Sequence, residues 1–496
     1  MATSLSLPPY NFLVINFLTF TLFFLFLIKK INTSKNKKIF FLYGWLFGFG
    51  YFFTNLYWIS ISLTFDQNFK SLIPITTFLV PAFLAIFYGL ACYIFANFKS
   101  KRIISSLLSF SLIFGVIEFL RGTILTGFPW NLIAYSFFNQ TEILSTIAFT
   151  GTYGFNLFCI TLFTSPAIFI MRETKKDILV CVFFLITITI FYFNGINYKK
   201  KFENSDKTIN DYSVRLIGSQ ISLDRFYLNV DPISVIEELI EISNPDLNQK
   251  TIFVWPEGIL PGLSQNDLIE YKWLFDNKFN KDHVFMIGTN EYFDDGKIKK
   301  YYNSLSIYDD QLNLLDSYNK IKLVPFGEFL PFEKFLKKIG LRSITNNYQS
   351  FSTGDKRNII KIEKENYSLK ILPLICYEII YSGNLFVNSN FDLILNISED
   401  GWFGKSNGPK QHFAHSVFRA IESGKYVLRS ANNGVAAIIN PVGDIEKEVK
   451  FGESGYIDYI GGSKIQPTIF SKYGNKIFGL LILLYIFFIF SFNRRF

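Results

Sequence analysis

Seven long apolar runs constrain this chain more than any other feature: roughly residues 11–28, 40–63, 73–97, 103–120, 143–171, 178–194 and 477–492. A helix that crosses the hydrocarbon layer of a bilayer needs about 20 mostly apolar residues, and each run is close to that length. Six precede residue 195 and one closes the chain, so the order reads as a helical membrane bundle (1–195), a polar middle (196–475) and a final anchor with its tail (476–496). At 496 residues the chain is too long for one hydrophobic core. Its 59 phenylalanines exceed what a water-soluble core needs.

The net charge of +9 could suggest nucleic acid, but its placement argues for topology. Loops 29–38, 99–102 and 172–176 carry Lys29, Lys30, Lys35, Lys37, Lys38, Lys99, Lys101, Arg102, Arg172, Lys175 and Lys176, whereas loops 64–72 and 121–142 hold only Lys70 and Arg121. The positive-inside rule places the first set in the cytoplasm, together with Arg494–Arg495, and so puts 195–476 outside it. Neither a basic patch interleaved with aromatics nor a nucleic-acid module is present. Glu118 and Arg121, three apart at one helix end, read as an interfacial pair or as the lining of a lipid-entry cleft.

The polar middle alternates strand-like runs with helical ones. Val214–Ile217, Thr251–Trp255, Val284–Ile287, Ser304–Ile307, Leu369–Ile375 and Leu393–Ile397 are predicted strands; Ile233–Ile242 and Leu268–Phe275 are predicted helices. Such alternation indicates a layered α/β fold.

Three strand ends carry unusual chemistry: Glu257 in Trp255-Pro256-Glu257-Gly258, Lys320 in Tyr318-Asn319-Lys320, and Cys376 in Leu374-Ile375-Cys376-Tyr377-Glu378. Each alone has a bland reading as a turn carboxylate, a solvated lysine or a small buried thiol. Together they form a nucleophile site. A thiol needs a base or a positive charge nearby to react as thiolate, Glu257 can take its proton, and Lys320 can hold the oxyanion that follows attack on a carbonyl. Glu328 could orient the lysine and keep it protonated. A Cys–His dyad remains open, although the chain has only three histidines, His283, His412 and His415. His412 and His415 lack neighbouring ligands for a metal and read as scaffold or pocket residues. Cys92, Cys159 and Cys181 lie in apolar runs, which leaves Cys376 alone in the polar middle and argues against a disulfide framework.

The order Glu257, Lys320, Cys376 resembles the triad of the nitrilase (carbon–nitrogen hydrolase) superfamily, whose fold is an α-β-β-α sandwich. Longer segments narrow the resemblance: Tyr318-x-Lys320-x-x-Leu323-Val324-Pro325-Phe326-Gly327-Glu328-Phe329, Cys376-Tyr377-Glu378, Trp402-Phe403-Gly404-Lys405-Ser406-x-Gly408-Pro409-x-Gln411-His412, Arg419-Ala420-x-Glu422 and Arg429-Ser430-x-Asn432-Asn433-Gly434. These, with Glu118–Gly122 and Thr126–Trp130 in the apolar part, are similar to the membrane-embedded apolipoprotein N-acyltransferase family. The resemblance implies ping-pong acyl transfer. Cys376, activated by Glu257, takes a fatty acyl group from the sn-1 ester of a phospholipid, with phosphatidylethanolamine the expected donor, as Lys320 steadies the oxyanion. The amine of a diacylglyceryl-cysteine apolipoprotein then receives the group. It further implies that Glu328, Tyr377 and Glu378 support the site or its lid, that no cofactor or metal is used, and that a monomer sits in a bacterial inner membrane with its catalytic domain in the periplasm.

Two features depart from the family pattern. The family usually has eight spans with its N-terminus inside, and Ser6–Tyr10 resembles its link between first and second helices; the expectation is a start downstream of the true one or a lost helix. Where the family often has a tryptophan early in the soluble domain, this chain has Asp224-Arg225-Phe226-Tyr227. Trp402 and Phe403 read either as water shields for a thioester or as core aromatics. A membrane-anchored amidohydrolase with the same triad is the nearest rival. A transporter with an extracytoplasmic binding domain is disfavoured by the scarcity of intramembrane charge and of inverted repeats.

Overall fold

The computed structural model describes residues 1–493 except 173, 229, 297–298, 339–349, 365–366, 384 and 386–389; Arg494–Arg495, expected at the cytoplasmic end, lie outside the described residues. The first half is helical: α1 (Ile15–Thr33), α2 (Ile39–Leu56), α3 (Ile73–Phe98), α4 (Ile103–Thr123), α5 (Thr141–Leu144), α6 (Ile147–Thr164), α7 (Pro166–Met171) and α8 (Lys175–Glu203). With α13 (Lys476–Asn493) at the other end, seven helical segments among the described residues are long and apolar enough to cross a membrane. The apolar runs therefore become helices where expected, with two refinements. The second continues as a 3-10 helix over Tyr57–Thr64. The fifth is kinked at Gly151, whose φ of 67° no ordinary helix contains. Close packing needs glycine at Gly44, where a Cβ would lie 2.2 Å from the Tyr88 carbonyl oxygen, and this lets α2 and α3 approach backbone to backbone.

Between α8 and α13, twelve strands lie among the described residues: β1 (Lys207–Ser219), β2 (Thr251–Val254), β3 (His283–Asp294), β4 (Lys299–Tyr308), β5 (Leu314–Asn319), β6 (Ile360–Lys364), β7 (Tyr367–Ile375), β8 (Leu393–Glu399), β9 (Tyr426–Asn432), β10 (Ala436–Ile439), β11 (Ile445–Val449) and β12 (Gly455–Ser463). The remaining α-helices among the described residues are α9 (Pro232–Ser243), α10 (Glu333–Lys338), α11 (Gly408–Ser423) and α12 (Ile469–Tyr473). The main sheet runs β5-β4-β3-β2-β1-β9-β8-β7-β6, with β12 on β1 and the β10–β11 pair on β9. β1, β2 and β3 are mutually parallel, as are β7, β8 and β9, and β1 joins the two sets in parallel with β9.

The sheet folds over so that its two halves share one apolar layer. Leu216, Val254, Met286, Leu305 and Ile307 come from one half and Ile371, Ile375, Leu395, Ile397 and Leu428 from the other. Alternation along each strand sends the remaining side chains outward. On the outside of the first half, Phe253, Trp255 and Phe285 meet Val235, Ile236, Leu239 and Ile240 of α9. On the outside of the second, Leu372, Leu374 and Ile394 meet Phe413, Val417 and Phe418 of α11. The result is an α-β-β-α sandwich beside a multi-span helical bundle. The helix expected over Leu268–Phe275 is a 3-10 helix, Asp267–Leu274, rather than an α-helix.

The outer layer formed by α11 is also the seam with the bundle. One continuous core runs from Phe24, Phe110 and Phe155 through α11 to β7. The Trp130 indole donates to Gln411 Oε1 at 2.9 Å, and Gln411 Nε2 donates to the Pro8 carbonyl at 3.2 Å. At the opposite end of the bundle Lys99 Nζ reaches Asn32 Oδ1 at 3.0 Å, so two of the basic loops lie together, away from the sandwich.

Glu118 and Arg121 pair as their spacing suggests, and both are buried inside the protein, each only 2% exposed. Residues 124–132 fold back over the end of α4, where Arg121 donates to the Phe128 carbonyl and Tyr88 Oη donates to Glu118 Oε1 at 2.6 Å. The pair fastens the loop that carries Trp130.

Candidate active site

Glu257, Lys320 and Cys376 all follow the carboxyl ends of strands that point the same way, the edge at which open α/β sheets bind ligands. β2 ends at Val254 and β7 at Ile375; β5, reversed twice relative to β3, ends at Asn319. Folding of the sheet brings these distant ends together. Lys320 Nζ lies 2.8 Å from Glu257 Oε1 and 2.9 Å from Glu328 Oε1. Asn303, on β4, donates to the same two oxygens at 2.8 and 2.7 Å. The backbone amides of Glu399 and Val324 donate to Glu257 Oε2 and Glu328 Oε2 at 2.9 and 2.8 Å. Two carboxylates thus share one ammonium and one amide in a pocket where Lys320 is 1% exposed.

Burial opposes charge on every member of this cluster, and the neighbours decide the outcome. Burial raises the Glu257 carboxyl, but Lys320 and Asn303 outweigh it and hold it below the usual carboxylate range. Burial alone would discharge Lys320; Glu257 and Glu328 reverse that and hold it well above its ordinary value. The Cys376 thiol is pushed well up, first by burial and then by the charge of Glu257, with Lys320 and a hydrogen bond to Ser398 pulling the other way. The resting proton distribution is therefore a thiol beside a carboxylate and an ammonium. That arrangement can deprotonate the sulfur as it attacks and can receive a developing oxyanion.

Cys376 opens a 3-10 turn, Cys376–Ile380, and its φ of 48° is left-handed. For a residue with a Cβ this is strain on the order of 1–3 kcal/mol, of the kind that functional sites keep. Glu378 braces the turn. It is fully buried and accepts from the Ile375 amide at 2.9 Å, Tyr318 Oη at 2.9 Å and Arg357 at 2.9 Å, tying the cysteine turn to the lysine loop. Tyr377 points toward the bundle and donates to the Gly127 carbonyl at 3.1 Å.

Sequence reasoning missed several neighbours. Asn303 lies in a strand with no motif. His412 does more than fill a scaffold: its Nε2 lies 3.3 Å from the Cys376 carbonyl oxygen and its Nδ1 2.8 Å from Asp400. Asp400 in turn accepts from Ser398 Oγ at 2.9 Å and from Arg429 at 2.8 Å, and Arg429 and His412 hold its carboxyl down at about 2 against the pull of burial. His415 packs on Tyr135 and Trp130 away from the thiol. Among the described residues no cluster of His, Cys, Asp and Glu could hold a metal.

Aromatic side chains line the seam between sandwich and bundle beside the cysteine turn. Trp130 packs on Trp58 (4.8 Å between ring centroids) and on Phe403 (5.6 Å), and Trp402 packs on Phe226 (4.9 Å) and Phe65 (6.1 Å). Phe226 stands 3.3 Å from where a Cβ on Gly258 would be, next to Glu257. Trp402 and Phe403 are half-buried, part of the seam between sandwich and bundle. Leu125, 74% exposed on the bundle loop, and Phe326, 51% exposed on the lysine loop, each present apolar surface.

Residues 1–164 match the apolipoprotein N-acyltransferase N-terminal domain and residues 245–466 match carbon-nitrogen hydrolase. The apolipoprotein N-acyltransferase of Rickettsia prowazekii (strain Madrid E) is 32% identical over 465 residues, covering 91% of this chain and 89% of that protein. That of Rhodopseudomonas palustris is 30% identical over 499 residues, covering 97% of this chain and 91% of that protein. Among solved structures, Saccharomyces cerevisiae Nit3, a member of branch 10 of the nitrilase superfamily, is similar over 51% of this chain and 92% of its own, with 18% identity and a TM-score of 0.36. Likeness along both the bundle and the sandwich, in relatives matched over nearly their whole length, makes this chain a multi-pass membrane member of the apolipoprotein N-acyltransferase family.

Proposed function

We propose that this enzyme moves a fatty acyl chain from a phospholipid to the amino group of a diacylglyceryl-cysteine apolipoprotein, through a thioester on Cys376. The observation that carries this is the position of the strained cysteine: against a buried carboxylate–ammonium cluster on one side, and under an aromatic seam with the membrane bundle on the other. Glu257 takes the thiol proton as sulfur attacks the ester carbonyl, and Lys320 balances the oxyanion. Collapse expels the lysophospholipid alkoxide, which receives that proton from Glu257. The amine of the acceptor then attacks the thioester, Glu257 takes its proton, and the thiolate leaves and is reprotonated. Glu328 keeps Lys320 charged and aimed; Glu378 and Tyr377 hold the cysteine turn to the lysine loop and to the bundle. The aromatic seam keeps water from the thioester, which separates transfer from hydrolysis.

The same reading takes 1–195 as the bundle, 196–475 as the catalytic domain and 476–496 as a closing helix and tail. Phosphatidylethanolamine is the donor, the enzyme is a monomer, and it sits in the bacterial inner membrane with the sandwich in the periplasm. Basic loops clustered at the end of the bundle opposite the sandwich support that orientation.

The test is mass spectrometry of detergent-purified protein incubated with phosphatidylethanolamine and a diacylated lipopeptide, beside Cys376→Ala. Acyl mass is expected on the peptide amine, with a thioester on Cys376 in the unmodified protein alone. Release of free fatty acid without peptide acylation would transfer the assignment to a membrane-anchored hydrolase.

A further inference from the structure

A left-handed backbone at Cys376 needs something to hold it, and the triad does not, because Glu257 and Lys320 act on the side chain. The carbonyl of Cys376 faces His412 Nε2 at 3.3 Å. His412 is itself fully buried and restrained on three sides. Asp400 Oδ1 lies 2.8 Å from Nδ1, and Arg429 lies 3.2 Å from the same nitrogen. Trp130 stacks on the ring at 5.3 Å and 21°, and Phe403 meets it edge-on at 5.5 Å. Trp130 belongs to the membrane bundle, and its neighbour Gly127 receives the hydrogen bond of Tyr377, the residue after the cysteine.

We propose that His412 is a positioning residue for the nucleophile: it clamps the Cys376 carbonyl so that the turn presents Sγ to Glu257 and Lys320, with Trp130 of the bundle fixing the plane of its ring. A carbonyl oxygen can only accept, so this contact needs a hydrogen on Nε2; the Asp400 carboxylate also only accepts, so the ring makes both contacts as an imidazolium paired with Asp400. His412, Cys376, Asp400 and Arg429 all belong to the sandwich, and docking of α11 on the bundle loop 126–130 adds Trp130 to the clamp. The membrane domain therefore contributes to setting the nucleophile. This rests on Cys376 being the nucleophile, but not on the identity of donor or acceptor.

The experiment uses the full-length protein in detergent. Alkylation of Cys376 by iodoacetamide is followed against pH by peptide mass, and thioester formation from phosphatidylethanolamine is followed in a single turnover. His412→Leu removes the donor, whereas His412→Gln keeps an N–H within reach of the carbonyl. In His412→Leu the thiol is expected to drift from its buried position, so its alkylation midpoint falls toward the ordinary thiol value of about 8.5. Thioester formation should drop by about 30-fold with the phospholipid KM within about twofold, the pattern of a lost transition-state geometry. His412→Gln should recover most of both. Trp130→Ala should shift the alkylation midpoint in the same direction, and it decides the question if His412→Leu is not recovered folded. The proposal is overturned if the midpoint stays put in both variants, or if the loss lies in KM alone. The alkylation arm reads the clamp even if phosphatidylethanolamine is not the donor, so failure of the clamp and failure of the acyl-transfer reading are told apart.

Discussion

At the scale of single residues, the cluster decides where one proton rests. Glu257 and Glu328 outnumber Lys320, so the ammonium is held and the site keeps an excess negative charge that disfavours a resting thiolate. A lowered carboxyl stays ionised down to pH values beneath the usual range, and a raised ammonium stays protonated above its own. Between about pH 5 and pH 9 neither changes state, since ordinary values are about 4.3 and 10.4 and the shifts move both outward. Thioester formation in a single turnover should therefore vary by less than about threefold across that window. A rate that keeps rising to the top of that window would instead mean that ionisation of the thiol, held above its ordinary value, precedes attack, and that Glu257 is not the base. Glu257→Gln should slow the step by about 10²–10⁴ at all these pH values. Glu257, Lys320 and Cys376 stand out as candidates in the sequence because each follows a strand-like run and the three residue types together suit a nucleophile site. Asn303 does not, since it sits in the polar–apolar alternation of β4, and nothing local says that the sheet will close over it. His412 is 36 residues from Cys376 and meets it only because α11 packs across β7.

At the scale of elements, α11 is a hinge between two solvents. Its residues are buried on every side except at Lys410, so it serves as outer layer to the sandwich and as partner to the bundle. The kink in α6 makes the joint. Gly151 breaks the helix, with no room for a Cβ beside Phe470, and the freed Thr152 amide donates to Glu422 at 2.7 Å. Thr152 Oγ1 and Ser382 Oγ each donate to the same oxygen at 2.6 Å, and Arg419 pairs with the other at 2.8 Å. Glu422→Ala strips all of these and leaves Arg419 charged in a dry seam, a loss on the order of 3–5 kcal/mol. In detergent its thermal midpoint should fall by about 3–5 °C, and Glu422→Gln should recover part of that. A fall of less than about 2 °C would show that apolar packing alone joins the two parts. The spans themselves were legible from sequence, since apolar length is a local property. The joint was not: Glu422 follows an arginine by three residues and looks like any helix-surface pair.

At the scale of the whole molecule, function depends on which side of the membrane the sandwich faces. Five lysines in loop 29–38 and three basic residues at 99–102 gather at the end of the bundle remote from the strands. Moving such clusters across a bilayer is disfavoured, whereas the sandwich has an ordinary mixed-charge surface and no comparable bias. Lys35 and Lys450 are both exposed, one in that basic loop and one just past β11, and they make matched probes. The native thiols interfere little, because Cys92, Cys159 and Cys376 are buried and Cys181 is half-buried in α8. In intact spheroplasts a membrane-impermeant maleimide should label Lys450→Cys and leave Lys35→Cys untouched until the membrane is permeabilised. The reverse pattern would place the thioester in the cytoplasm, and the acceptor amine would then have to be modified before export. Equal labelling of both in intact cells would mean that loop 29–38 does not hold the orientation, so that the charge argument, although not the active site, would have to be given up.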